Sequence, residues 1–285
     1  MKKIKNIVVP IDFSVTSRNA YQYARNLARV LNATLTVVNI NEALIIVSDV
    51  MVTQSAFDNV DKTEDIKNFI IEEDEKLNAD LLKDEVKAKN LNGNTLDVLV
   101  DLSEQADTDL IIMGSSGLED FLAKIVGTVS HKVSTSAHCP VILIPRNVKW
   151  RPINNIVYAS NYDSLAEVSL KEIMAFAKDL LAEIHFVNVK NYDPLFETKQ
   201  KEINWDKLFE LEILNQPYHK HTIYGNDTAK ELNIYCEEKN INMMTFLSKH
   251  RNFWQSLAHK SITENVALTS TIPIMIVHVD DKNIM

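Results

Sequence analysis

The chain has 285 residues, 46% of them hydrophobic and 24% charged, with a formal net charge of −9. That is enough core-forming material for two domains of ordinary size, and the acidic balance excludes a general nucleic-acid surface, which rests on an excess of Lys and Arg. No run of about 18 apolar residues offers a membrane span, and Cys139 and Cys236 make neither a disulfide framework nor a Cys-x-x-Cys pair.

The first residues, Met1 to Asn6, lead directly into an apolar run and lack a signal-peptide core with a cleavage site. Together with the cysteine usage this predicts a reducing, cytoplasmic setting. Ile7–Ile11 reads as a buried strand, followed by a helix over Val15–Leu31 with Ala20, Ala24, Leu27, Ala28 and Leu31 on one face. A strand over Leu35–Ile40 comes next. The connection after it contains the apolar stretches Ala43–Val47 and Val50–Val52, which fit core, a lid or an interface, with lid or interface preferred. A helix is expected over Asp61–Lys83, then a strand over Glu85–Leu91 ending at Gly93-Asn94. Asn94 is placed to cap the next helix, with Asp97 in its first turn, where the helix dipole favours a carboxylate. Strand Leu110–Met113, a glycine-containing segment, a helix over Leu122–Ser136 and strand Val141–Ile144 complete the set.

The plan then repeats. Asn6–Ser14 recurs as Asn155–Asp163, Ala33–Ile40 as Ala182–Val189, Gly93-Asn94 as Gly225-Asn226, and Pro140–Pro145 as Pro273–His278. Strands that alternate with helices and are apolar throughout predict parallel sheets covered on both faces, with ligands at the carboxyl ends of the strands. The expected units are residues 1–147 and 153–285. The short junction between them predicts that they pack together rather than swing freely.

The most informative segment is Gly114-Ser115-Ser116-Gly117, then nine residues, then Gly127-Thr128. Only five glycines occur in the chain, and three are here, directly after a strand. Scarce glycines in that place point to close backbone approach, with phosphate on N–H groups as the natural ligand and a tight turn as the plainer reading. His219-Lys220-His221 puts two imidazoles on one face of a strand, a zinc-compatible spacing without an assured third ligand. Cys236 and His250 lie in the same copy, but edge-strand histidines are the preferred reading and no metal site is assigned. Cys139 and Cys236 read as small packed residues, and Trp205, Leu208, Leu211 and Leu214 as the packed stripe of a helix.

These motifs resemble the universal stress protein family in its tandem form. The family's pattern Gly-x-x-Gly, nine residues, Gly-Ser/Thr is matched by Gly114, Gly117, Gly127 and Thr128, and its first strand and acidic residue by Val9–Ser14. The resemblance implies an α/β fold of two tandem Rossmann-like (adenine nucleotide alpha hydrolase-like) domains, each a five-stranded parallel sheet flanked by helices. It implies ATP, with Mg²⁺, in the first domain. Asp12 would contact the nucleoside, alongside any capping of the following helix, and the backbone of Ile40 would read adenine. Gly114 and Gly117 would let the loop wrap the ribose and phosphates, and Gly127, Thr128, Val129 and Ser130 would meet the phosphates. Asn39 and Asn188 stand where the family often has His.

In the second copy Asn161 replaces Asp12, and Ser248, Arg251 and Lys260 stand for the three glycines. One working site per chain is therefore expected. The implied role is a cytoplasmic stress-response protein, regulated by nucleotide, with at most slow hydrolysis or autophosphorylation. The alternative is a non-catalytic interaction scaffold whose second domain binds another ligand or partner. An intramolecular pseudo-dimer of the domains and a homodimer of chains both fit.

Overall fold

A computed structural model describes residues 3–42, 61–78, 86–115, 129–159, 166–190, 217–249 and 271–279, with the backbone alone for 166–171, 248–249 and 279. The first half contains strands β1 (Asn6–Pro10), β2 (Thr34–Asn41), β3 (Val86–Asn92), β4 (Leu110–Ser115) and β5 (Val141–Pro145). Its helices are α1 (Val15–Leu31), α2 (Thr63–Lys76), α3 (Thr95–Glu104) and α4 (Val129–Ser136). The second half contains β6 (Asn155–Ala159), β7 (Glu183–Lys190), β8 (Tyr218–Tyr224), β9 (Met243–Lys249) and β10 (Ile274–Val279), with α5 (Ala166–Leu180) and α6 (Thr228–Glu238).

All ten strands form one sheet in the order β3-β2-β1-β4-β5-β10-β9-β6-β7-β8. Pairing is parallel within each half. The halves meet edge to edge where β10 runs antiparallel to β5, with Met275 opposite Ile142, its own counterpart in the repeat. His278 reaches across this seam, its ring nitrogens 2.9 Å from the Ser134 carbonyl and 3.1 Å from that of Cys139.

Alternate strand residues feed two cores. Ile7, Val9, Leu35 and Val37 belong to one face with the apolar stripe of α1. Val8, Val38, Ile111 and Met113 belong to the other with Leu99 of α3 and Val133 of α4. Cys139 and Cys236 are free and buried, as small packed residues should be.

Helix α1 is the element that most directly shapes the strand ends. Its N-cap is Ser14, whose Oγ accepts the Ser17 N–H at 3.2 Å. Asp12 does not cap the helix itself; its Oδ1 accepts the Ser14 N–H at 3.0 Å, one turn upstream. Phe13, between them, takes a φ of 65°, a left-handed conformation that costs an aromatic residue about 1–2 kcal/mol. That turn sends the Phe13 ring onto Phe69 of α2, 5.8 Å between centroids.

Helix α2 grips α1 through a buried polar seam. Asp74 accepts from Tyr21 Oη at 2.7 Å and Arg25 Nε at 3.1 Å, and both charged side chains are almost fully enclosed. Glu73, with no exposed side-chain surface, accepts from Arg18 Nη1, Gln22 Nε2 and Lys76 Nζ. Burial alone would raise the Glu73 carboxyl, but those three donors outweigh it and hold the group below its ordinary range.

Asn94 caps α3 as expected, its Oδ1 accepting the N–H groups of Leu96 and Asp97. In the second half Gly225 occupies the place of Gly93, each donating its N–H to the end of the neighbouring strand. The cap there comes one residue later: Asp227, and not Asn226, accepts from Ala229 and Lys230. The 146–154 junction packs on α1, as its shortness predicts. Trp150 lies against Tyr23 with centroids 4.9 Å apart, and Asn19 Nδ2 donates to the carbonyls of Pro145 and Val148. The predicted helix over 61–83 is described only as far as Asn78 and ends at Lys76. The segment 43–52 and the 205–214 stripe lie outside the described residues.

Candidate functional site

The sheet order changes direction at β1, which has β2 on one side and β4 on the other. Beyond the carboxyl ends of these strands, where open α/β sheets hold their ligands, lies a cavity of about 390 Å³. Asp12, Ile40, Gly114, Val129 and Ser130 all line it. The sequence-predicted residues Gly117, Gly127 and Thr128 lie outside the described residues.

Gly114 is needed there for room, not for backbone freedom. A Cβ on it would sit 2.5 Å from Thr16 Cγ2 and 2.8 Å from the Thr16 carbonyl oxygen. The missing side chain therefore lets the first turn of α1 close onto the end of β4. The first described turn of α4 supplies Val129 and the buried Ser130.

Asp12 is presented by the turn before α1. Partial burial would raise its carboxyl, but hydrogen bonding from the Ser14 and Ser17 side chains and the Ser14 N–H outweighs that and keeps it low. Glu42, just past β2, accepts the Thr95 N–H at 2.9 Å. Hydrogen bonds from the Thr95 side chain and then its backbone lower this carboxyl too. Both acids are carboxylates at neutral pH, suited to accept hydrogen bonds. Neither is tuned towards the neutral pKa that a general base needs.

The wall of the cavity also contains a buried polar group in need of a partner. Asn39 is 5% exposed and donates its Nδ2 to the Ile11 carbonyl at 2.8 Å, which leaves its Oδ1 without a hydrogen-bond partner among the described residues. An orphaned buried acceptor costs about 1–3 kcal/mol until something donates to it. The cavity thus combines the carboxylates of Asp12 and Glu42 near β1 and β2 with a close backbone approach and a helix turn near β4.

Reading the sequence alone missed Glu42, Thr95 and the Ser14-Ser17 pair. The signals were present: an acid two residues beyond the predicted adenine-reading position, a Thr immediately after the Asn cap, and a Ser-x-x-Ser at a helix start. The second half requires a correction. Ile7 pairs with Leu110 and Ile156 with Met243; Gly114 pairs with Ile144 and Leu247 with Val277. The residue standing for Gly114 is therefore Leu247 and not Ser248, because strand pairing, and not the resemblance of the loops, sets the register. Asn161, Arg251 and Lys260 lie outside the described residues. His219 and His221 lie on the edge strand β8, as expected.

The sequence model of the universal stress protein family matches residues 3–145. A universal stress protein of Methanocaldococcus jannaschii is 23% identical over 145 residues, covering 51% of this chain and 84% of that protein. The universal stress protein YxiE of Bacillus subtilis is 27% identical over 143 residues, covering 48% of this chain and 97% of its own length. Among solved structures, a universal stress protein from Archaeoglobus fulgidus superposes with a TM-score of 0.66 at 18% identity, covering 97% of each chain. The cytoplasmic domain of a prokaryotic cation chloride cotransporter reaches 0.50 at 11% identity, covering 96% of this chain and 95% of its own. At those identities the likeness is one of fold, and a fold does not carry its function with it. None of the described helices is long and apolar enough to cross a membrane. With its glycine-marked strand end, its ten-stranded sheet and a family match over half its length, the chain belongs to the universal stress protein family.

Proposed function

We propose that the first half, residues 1–147, binds ATP with Mg²⁺ and that the chain is a cytoplasmic stress-response regulator whose state depends on that nucleotide. The observation that carries this reading is the cavity itself. Five residues singled out from the sequence, Asp12, Ile40, Gly114, Val129 and Ser130, line one space of about 390 Å³. The nucleoside takes the β1–β2 side, where Asp12 accepts hydrogen bonds and the Ile40 backbone reads the base. The phosphates take the β4 side, where Gly114 leaves room and Ser130 begins a helix. Gly117, Gly127 and Thr128 complete the phosphate loop in this reading. Asp12 and the hydroxyls of Ser14 and Ser130 offer the hard oxygen donors that Mg²⁺ prefers, and the ion would offset phosphate charge. With both carboxylates held low, hydrolysis is slow at most.

The second half, residues 153–285, is a lapsed copy in which Leu247 occupies the place of Gly114. The two halves act as a pseudo-dimer within one chain, a reading supported by the antiparallel β5–β10 seam. The test is a calorimetric titration of nucleotide-stripped protein with Mg-ATP. The expected stoichiometry is one per chain, and Asp12→Ala should weaken binding roughly 10- to 150-fold, the worth of a charge-assisted hydrogen bond. Two sites would restore the second half to function. Absence of binding at millimolar ATP would overturn the nucleotide reading and favour the interaction scaffold.

A further inference from the structure

A second group of chemistry-bearing side chains lies in the other half of the molecule, at the amino ends of β7 and β8. His185, on β7, is directly opposite His219 of β8 in the parallel register, and Glu183 precedes His185 by two residues on the same face of β7. One ligand-type atom from each of Glu183, His185 and His219 can be chosen so that all lie within 4.8 Å of one another. We propose that these three side chains form a binding site for a borderline divalent transition metal, with Zn²⁺ as its type.

The geometry is close to what such an ion requires. Ligands about 2.0–2.1 Å from a tetrahedral ion are roughly 3.3 Å apart, and His219 Nε2 already lies 3.0 Å from Glu183 Oε2. Bringing in His185 means a contraction of roughly 1.5 Å at most, within reach of side-chain rotation. The ligand set, two imidazoles and a carboxylate, is one that Zn²⁺ takes with a fourth position left to water.

Two observations separate this cluster from ordinary protection of an edge strand. Edge strands are guarded by exposed charge, but His185 lies on β7, inside the sheet, and is only 6% exposed. Its ring is also held in place: Nδ1 is 2.8 Å from the Tyr235 hydroxyl of α6. Metal-bound histidines are oriented by this kind of contact through their second nitrogen. His221 stacks at 6.1 Å from His185 and packs at 5.2 Å from Tyr235, closing the flank. The sequence pattern His-x-His gives a zinc-compatible spacing without an assured third ligand, and Cys236 and His250 merely lie in the same copy. Strand pairing supplies Glu183 and His185 instead. An ion here would clamp β8, which pairs only with β7 among the described residues, to that strand.

The experiment uses the full chain, stripped with a chelator and free of nucleotide. Zn²⁺ affinity is measured by competition with a chromophoric chelator, and Co²⁺ is added separately to read the visible absorption of a low-coordinate site. The expected result is one Zn²⁺ per chain with a Kd at or below about 1 µM. Glu183 and His219 have side chains 47% and 45% exposed, so E183A and H219A should keep the fold, checked by circular dichroism, while weakening Zn²⁺ more than about 100-fold. Tyr235→Phe should weaken it about 10- to 100-fold without changing the stoichiometry. Cys236→Ala should leave the affinity unaltered. Failure to bind Zn²⁺ at roughly 100 µM, an affinity indifferent to H219A, or a site lost with C236A would each overturn the proposal.

Discussion

The ends of β4 and β9 occupy the same place in their halves, and one carries Gly114 where the other carries Leu247. Both strands are paired in parallel with the first strand of their half, and at this point of the register one has no side chain where the other has a leucine. At β4 the absence of a Cβ lets Thr16 and the start of α1 come into contact. At β9 a half-buried leucine packs against the core instead. The lesson is that the sheet and its ligand cradle are separable. Alternating apolar residues maintain the first regardless of what happens to the second.

Three changes would break or sharpen that contrast. The largest effect is expected from Asp74→Ala, which takes away the carboxylate held by Arg25 and Tyr21 and so the buried polar seam that joins α2 to α1. Breaking a buried charge pair typically costs about 3–5 kcal/mol, to be read by denaturant unfolding; a loss under about 1 kcal/mol would show that α2 does not hold the cradle together. Next comes Gly114→Leu, which copies the second half into the first. Overlap with the Thr16 backbone should cost about 1–3 kcal/mol of stability and abolish Mg-ATP binding in the same calorimetric titration. A variant that still bound would mean that the cradle tolerates what the second half contains. The smallest effect works in the opposite direction. α1 ends on Asn32 in the left-handed region, φ 53°, and α5 ends on Leu181 with φ 57° and 92% exposure. Leu181→Asn should bring the second half into line with the first and stabilise the chain by about 1 kcal/mol, seen as a higher thermal midpoint.

Much of this was legible in the sequence because the physics was local. Asn94 follows a turn glycine and precedes an apolar run, and it caps. The faces of the strands follow from two-residue alternation, and the apolar stripe of α1 from its spacing. What escaped needed distant partners. Glu73 and Asp74 stand in a run of acids that resembles a solvated helix face, and only docking against Arg18, Tyr21 and Arg25 makes them buried acceptors. The Leu247 equivalence turns on strand register, which loop similarity does not report. His185 and His219 are neighbours through a strand pairing that spans a long connection. In the sequence Asp12 fits a nucleoside contact together with capping of the following helix. The structure gives the cap to Ser14, leaving the Asp12 carboxylate with the Ser14 N–H and at the cavity wall.

The β5–β10 seam has one further consequence. In an isologous contact between identical copies every substitution is made twice, and each side must suit itself. Here Ile142 faces Met275, so the two positions at the centre of the seam are already written differently. The difference grows outward: His278 stands where the first half has Pro145, and its ring reaches the Ser134 and Cys139 carbonyls. A neutral imidazole can donate to one of those oxygens and an imidazolium to both; a proline can donate to neither. Covalent fusion thus gives the joint a polarity, with carbonyls offered by one side and ring nitrogens by the other, that two separate copies of either half could not reproduce.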